Sequence, residues 1–212
     1  KRALVTGSTL GIGRAIAADL LRAGAAVIIN GRDAGRVAEA AKALSHLGEV
    51  IGVAADLSNA AGAEALLEEI DAPIDILVNN VGVFTVKPFF EISDQDWADM
   101  FQLNVMSGVR LARALMPAML ERGWGRIIFI GSDQSQKPNP VMAHYAMTKT
   151  AQVSVARSLS ELTAGSEVTV NTVLAAPTWT HGVAAFMKQM AEIEGTTPEA
   201  MSKDYFGDGG DW

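Results

Sequence analysis

Thr6-Gly7-Ser8-Thr9-Leu10-Gly11-Ile12-Gly13 decides the fold because of what stands on either side of it. Before it, Ala3-Leu4-Val5 is a short apolar run of the kind a buried strand requires. After it, residues 12–21 carry apolar side chains at helical spacing. Small residues between a strand and a helix let the backbone turn tightly and approach a pyrophosphate, which then rests on the helix N-terminus. Glycine also marks ordinary turns. The strand–turn–helix context is what makes this loop a predicted nucleotide site.

The same alternation continues along the chain. Residues 27–29, 50–54, 74–78, 126–130 and 168–174 read as strands, and 35–47, 63–70, 93–121 and 143–162 as helices. Ser93, with Asp96 three residues on, resembles a capping pair that opens the long helix, and Pro117 is expected to bend or interrupt it near its end. Strands that are almost continuously apolar, separated by helices, imply a parallel sheet covered on both faces. Right-handed crossovers then wind it in two directions. The expected fold is α/β, a doubly wound parallel sheet in a Rossmann-type three-layer sandwich, forming a single domain over residues 1–212. Beyond residue 180, Met187, Met190, Ile193 and Met201 suggest short amphipathic helices.

Composition narrows the function. At 212 residues, 49% hydrophobic and 19% charged, the chain reads as globular rather than disordered. No window approaches the roughly 18 consecutive apolar residues of a membrane span. A net charge of −7 without a Lys/Arg cluster argues against nucleic acid as a partner. Without cysteine there is no disulfide and no thiolate metal site, and His46, His144 and His181 form no ligand cluster, so no metal is expected. Residues 1–5 run straight into a strand pattern with no signal peptide visible, and the expected location is the cytoplasm. Trp97, Trp124 and Trp179 read as packing residues, with Trp179 also a candidate to face a substrate.

A second cluster carries chemistry. Tyr145-Ala146-Met147-Thr148-Lys149 places a phenol and an ammonium on one helical face. Ser132 follows the fifth strand, at the carboxyl edge where such sheets bind ligands. Asn104 interrupts an apolar helix stretch, where an amide without partners is costly. Singly, each has a plain reading: a half-buried Tyr beside a surface Lys, or a Ser that caps a turn. Together they suit hydride chemistry. Reducing a carbonyl leaves an alkoxide that must be protonated as it forms. A free tyrosine titrates near pH ~10, and a neighbouring ammonium favours its phenolate. A shift of about three units corresponds to roughly 4 kcal/mol. A serine hydroxyl can donate to the oxygen where charge develops.

The combination resembles the short-chain dehydrogenase/reductase family, from residue 1 to about residue 180. Its T-G-x-x-x-G-x-G loop stands here at residues 6–13. Asn79-Asn80-Val81-Gly82 is similar to its N-N-A-G, with Val81 for Ala, and Asp56-Leu57 resembles the segment whose Asp contacts the adenine, a helix-capping Asp being the alternative. Asn104, Ser132, Tyr145 and Lys149 stand in the order of the family's catalytic four. The resemblance implies an oxidoreductase that moves a hydride between NADP(H) or NAD(H) and a carbonyl or secondary alcohol. Tyr145 would be the acid/base, and Lys149 would lower its pKa and bind the nicotinamide ribose. Ser132 would orient the substrate oxygen, with Ser135 fitting less well. Asn104 would hold a water linking Lys149 to solvent. Cofactor contacts would come from Gly7, Thr9, Gly11, Ile12, Gly13, Arg32, Asp56, Leu57, Asn80, Gly82, Tyr145, Lys149, Thr178 and Thr180. A homo-oligomer, dimer or tetramer, is also implied.

Asn30-Gly31-Arg32-Asp33 bears on the choice of cofactor. An NAD enzyme carries an acid here for the ribose hydroxyls. By alignment with the family, Gly31 occupies that place and Arg32 the place of a phosphate-binding cation, which favours NADP over NAD. Asp33 beside it carries the opposite charge, and a solvated surface Arg32 is the plain alternative.

Two departures from the family stand out. Ala175-Ala176 replaces its Pro-Gly before Thr178 and Thr180, so that loop is expected to be altered or more mobile. Tyr205-Phe206 then runs almost directly to Asp208-Gly209-Gly210. The expected consequence is a gap of about 40 residues, a further helix and strand of the sandwich, lacking between Phe206 and Asp208. Residues 178–206 would form a substrate lid, with Val183, Phe186 and Met187 an apolar wall. Two rival readings are a non-catalytic or regulatory nicotinamide-nucleotide-binding protein, and an interaction protein using residues 186–201.

Overall fold

Ala3, Leu4 and Val5 are fully buried in β1 (Arg2–Val5), the strand from which the sheet grows in both directions. The computed structural model describes residues 1–178 and 180–206. β1 pairs in parallel with β2 (Ala26–Gly31), Val5 opposite Ile29, and on its other side with β4 (Ile76–Asn79), Val5 opposite Val78. β3 (Val50–Ala54) extends the sheet beyond β2, and β5 (Trp124–Ser132) and β6 (Glu167–Ala175) extend it beyond β4, in the order β3-β2-β1-β4-β5-β6. The winding direction reverses between β1 and β4, so a crevice opens at their carboxyl ends, where ligands bind in such sheets. This is the expected doubly wound parallel sheet flanked by helices.

α1 (Gly11–Arg22) and α2 (Ala34–Leu44) bury Leu21, Val37 and Leu44. α3 (Ala60–Glu68) and α5 (Ser107–Glu121) pack together over Leu4, Leu66, Leu77, Leu111, Ile127 and Phe129, all in one core cluster. Burying one such side chain stabilises the fold by about 1.5–3 kcal/mol, and cutting Leu77 to Ala would cost about 2–5 kcal/mol with its cavity. The sheet ends on β6 with Val173 and Leu174 exposed, an apolar edge.

The expected long helix over 93–121 is helical from 94 to 121 but changes its winding part-way. Ser93 and Asp96 close a capping box on α4 (Asp94–Phe101), each side chain accepting the other's backbone N–H. A π turn, Gln102–Met106, follows before α5 begins. Pro117 does not interrupt α5, which runs on to Glu121. Pro117 and Arg113, whose carbonyl loses its helical partner, are both exposed, so water can satisfy that carbonyl. α6 (Ala143–Leu162) packs on β5.

The chain divides into two compact units, Lys1–Leu174 and Ala175–Trp212. In the second, α7 (His181–Glu194) and α8 (Pro198–Phe206) pack on each other, the short helices the methionine spacing predicts. Thr180 caps α7 by accepting from Val183 N, and Gly195 ends it at a left-handed φ of +65°. Trp179 and the Asp208-Gly209-Gly210 segment lie outside the described residues. Among the described residues no helix is long and apolar enough to cross a membrane.

Candidate active site

The glycine loop is shaped by contacts no side chain could share. Gly7 and Gly11 hold φ values of +59° and +57°, a region L side chains rarely adopt. A Cβ on Gly13 would fall 2.4 Å from Asn80 Nδ2 and 2.6 Å from the Gly7 carbonyl. Asn80 braces the loop rather than facing away from it: Nδ2 donates to Thr6 O at 2.8 Å and Gly7 O at 2.9 Å. Thr6 Oγ1 returns the tie by accepting from Asn80 N and Val81 N, both at 3.0 Å. Leu10, at the N-cap of α1, offers no side-chain hydrogen bond, so the first-turn N–H groups keep their positive ends for an anion. The cradle therefore fits a dinucleotide's pyrophosphate. Thr9 and Ile12 are half-buried beside it.

At the end of β2, a Cβ on Gly31 would meet Thr9 Cγ2 at 2.8 Å and Val37 Cγ2 at 3.2 Å. An acidic side chain has no room there unless Thr9 moves. Arg32 is exposed next to it. Asp33 is engaged elsewhere, capping α2 by accepting from Arg36 N at 2.8 Å. Asp56 is exposed and accepts from Ser58 N at 3.0 Å, while the cap of α3 is Asn59. Leu57 is 2% exposed in the core, which leaves its backbone alone for any nucleotide contact.

Across the crevice, Lys149 is buried on α6, and its Nζ donates to Ile130 O at 2.8 Å and Gln152 Oε1 at 3.1 Å. The ammonium lies 5.6 Å from the centre of the Tyr145 ring. Burial pushes its pKa down to about 8, because removing water penalises the charged form. Phe84 meets the Tyr145 ring edge-on at 6.0 Å. Asn104 sits in the π turn, a helix irregularity often found at functional sites. Its Oδ1 accepts from Val83 N at 2.8 Å, and its Nδ2 donates to Val83 O at 2.9 Å and Thr148 Oγ1 at 3.1 Å. Its carbonyl accepts from Gln152 Nε2 at 2.6 Å. A Cβ on Gly82 would stand 3.3 Å from Asn104 Oδ1 and 3.7 Å from Lys149 Nζ, which places Gly82 against both.

Ser132 ends β5, two residues beyond Lys149's partner Ile130, and is 7% exposed. Its hydroxyl caps a 3₁₀ turn, Asp133–Ser135, by accepting from Gln134 N at 3.2 Å, and it donates to Asp133 Oδ1 at 3.0 Å. The capping role is thus real, and it leaves the residue at the carboxyl edge of the sheet. Ser135 Oγ donates to Ser132 O at 2.7 Å. In the second unit, Thr178 Oγ1 donates to Ala176 O at 2.9 Å and Thr180 serves as a helix cap. Trp97 packs edge-on to Phe89 and His144, and Trp124 lies beneath the cations of Lys1 and Arg126. Sequence reasoning missed Val83, Thr148 and Gln152. The available signal for Gln152 was its position three residues after Lys149, on the same helical face.

A family model described as short chain dehydrogenase matches residues 1–191. The chain belongs to the short-chain dehydrogenase/reductase family. It is 48% identical over 208 residues to the uncharacterized oxidoreductase YvrD of Bacillus subtilis, covering 97% of this chain and 79% of that one. It is 38% identical over 177 residues to the 3-oxoacyl-[acyl-carrier-protein] reductase FabG of Haemophilus influenzae, covering 82% and 72%. Among solved structures, L-sorbose reductase of Gluconobacter frateurii, crystallised with NADPH and L-sorbose, superposes with a TM-score of 0.90 at 31% identity, covering 96% of this chain and 80% of that one. As a member of the short-chain dehydrogenase/reductase family this chain is a nicotinamide-dependent oxidoreductase.

Proposed function

We propose that this short-chain dehydrogenase/reductase interconverts a carbonyl and a secondary alcohol with NADP(H), Tyr145 serving as the acid/base. The observation that carries the reading is the buried ammonium of Lys149 beside the Tyr145 ring, 5.6 Å from its centre. A cation in a dry site favours phenolate far more than one in water, bringing a tyrosine towards a working pH. Tyr145 then gives its proton to the developing alkoxide in reduction and takes it back in oxidation. Ser132, at the edge of the sheet, donates to the substrate oxygen once a substrate draws its hydroxyl away from Asp133. Two of the three hydrogens on Lys149 Nζ are engaged, by Ile130 O and Gln152 Oε1, and by the family's pattern the ammonium would also hold the nicotinamide ribose. Asn104 anchors the loop that starts at Gly82 and, by the family's pattern, supports the water that returns protons to Lys149.

Bound on the glycine loop, a nicotinamide supplies or accepts the hydride. The residues that would hold it are Gly7, Thr9, Gly11, Ile12 and Gly13 at the phosphates, Asp56 and Leu57 at the adenine, and Asn80 and Gly82 along the crevice. Thr178 and Thr180 would meet the carboxamide. Support for NADP comes from the crowded Gly31, where an acid does not fit, from the exposed guanidinium of Arg32, and from the NADPH held by the sorbose reductase.

Consumption of NADPH and NADH, followed by absorbance against a panel of ketones and aldehydes with Tyr145→Phe as control, tests the reading. Turnover that prefers NADPH and vanishes in the variant is expected. Tight cofactor binding with no turnover on any carbonyl, or equal turnover by Tyr145→Phe, would overturn it.

A further inference from the structure

Gln152 is a polar residue in a place that an apolar one could fill. It is 1% exposed on α6, and both ends of its carboxamide are committed. Oε1 accepts from Lys149 Nζ at 3.1 Å, and Nε2 donates to the carbonyl of Asn104 at 2.6 Å. The second partner lies in the π turn Gln102–Met106. A π turn shifts the backbone ladder by one residue and leaves polar groups to be satisfied by other means. Sealing that carbonyl needs a donor only. A side chain that also presents an acceptor to a buried ammonium does something more.

We propose that Gln152 is a positioning residue of this active site, whose carboxamide links the Asn104 carbonyl to the Lys149 ammonium and so keeps a charged Lys149 beside Tyr145. The inference rests on the reading of Tyr145 as the acid/base and deepens it. Around Lys149 stand the Tyr145 ring and the Gln152 amide on α6, the Ile130 carbonyl on β5, Gly82, and Asn104 in the π turn. Tyr145 is the titratable member of that set. Among the described residues no carboxylate acts on Lys149, and its pKa is lowered by burial. Among the described residues its charge is held by two acceptors, Ile130 O and Gln152 Oε1. An acceptor on the charged form favours that form. Removing one of two lets the buried amine lose its proton more readily, and the phenolate of Tyr145 then loses its cation.

The chain has two tyrosines, Tyr145 and Tyr205, so in a Tyr205→Phe background tyrosinate absorbance titrates Tyr145 directly, with neither cofactor nor substrate present. Gln152→Met keeps the volume and removes both hydrogen bonds. The expected result is a rise in the Tyr145 midpoint of about one unit, a typical effect of weakening a neighbouring charge. Lys149→Met should raise it further, and Gln152→Met should add nothing to Lys149→Met, the non-additivity expected when one residue acts through another. The pH profile of kcat should move with the midpoint. An unmoved midpoint, or a shift that persists unchanged without Lys149, would overturn the proposal. Should Gln152→Met fail to fold, Gln152→Asn, too short to span both partners, is read the same way. Turnover by Tyr145→Phe alongside the expected midpoint shift would sink the acid/base reading and leave the Gln152–Lys149 link standing. Loss of turnover in Tyr145→Phe with no shift would do the reverse.

Discussion

Asn80 Nδ2 lies 2.9 Å from the carbonyl oxygen of Gly7, so the loop after β4 holds the phosphate cradle after β1 in its turned form. The same nitrogen donates to Thr6 O at 2.8 Å. Asn80→Ala removes both bonds and should lower stability by about 1–3 kcal/mol and weaken NADPH binding. Asn80→Asp, nearly identical in shape, should be worse than Ala, since it aims a carboxylate at two carbonyls and at the cofactor phosphates. Thermal denaturation and a fluorescence titration with NADPH would show it. An Asp variant as stable as the Ala variant would mean that the bracing is unimportant.

Arg32 and Gly31 make separable predictions about the cofactor. Arg32→Ala should weaken NADPH binding about tenfold, the loss of one charge-assisted phosphate contact, and leave NADH binding nearly unchanged. Gly31→Asp alone should destabilise the protein without creating an NADH enzyme, because Thr9 Cγ2 already stands 2.8 Å from where its Cβ would be. Adding Thr9→Ala should recover stability and NADH use together. Dissociation constants for both cofactors decide the matter, and equal losses for NADPH and NADH in Arg32→Ala would remove Arg32 from the phosphate site.

Lys149 is expected to trade stability for chemistry. Its folded pKa of about 8 stands below the ordinary 10.5, so the folded protein disfavours the charged form. As pH falls from 10.5 to 8 the unfolded chain takes up a proton that the folded chain does not, and stability drops. Below 8 the full penalty remains, roughly 3 kcal/mol at the upper end. Lys149→Met removes it while leaving the Ile130 carbonyl and Gln152 short of a donor. The variant should be inactive yet no less stable than the parent at pH 7, with the parent gaining on it between pH 8 and 10.5. Urea unfolding at those pH values is the check.

His144 gives an acid-side counterpart. It is fully buried next to Tyr145, with Nε2 2.8 Å from Thr85 Oγ1. Burial holds its pKa below 6.5, with Lys87 adding to that effect and the Asp96 carboxylate opposing it. The unfolded chain therefore binds this proton first as pH falls below 6.5, and stability declines from there down to the folded pKa. His144→Gln, which can still bond Thr85, should flatten that decline. Unfolding free energies at pH 7.5 and 5.5 should differ less in the variant than in the parent, and an equal difference would exclude His144 as a source.

Most of the architecture was legible because its signals are local. Six apolar runs became six strands of one sheet, and the Ser93–Asp96 pair closed as a capping box. Pro117 leaves α5 uninterrupted because the Arg113 carbonyl that its missing hydrogen bond orphans is exposed to water. The π turn within the expected helix over 93–121 was not legible. Nothing near residues 102–106 breaks a helix locally, and the π turn coincides with the pair of hydrogen bonds between the Asn104 amide and the Val83 backbone.

At the active site the same line divides the residues. Tyr145 and Lys149 share a helical face through their spacing alone, and Gly7 and Gly13 announce a crowded backbone by lacking a side chain. Those features followed from the order of residues, because each depends on neighbours within a few positions. The link from Lys149 through Gln152 to Asn104 spans 48 residues in the chain. The conflict of Gly31 with Thr9 likewise arises only on folding, when the loop after β1 comes against the end of β2. Contacts of this range exist once the sheet has closed, since chain separation carries no information about which buried polar groups will be left to satisfy one another.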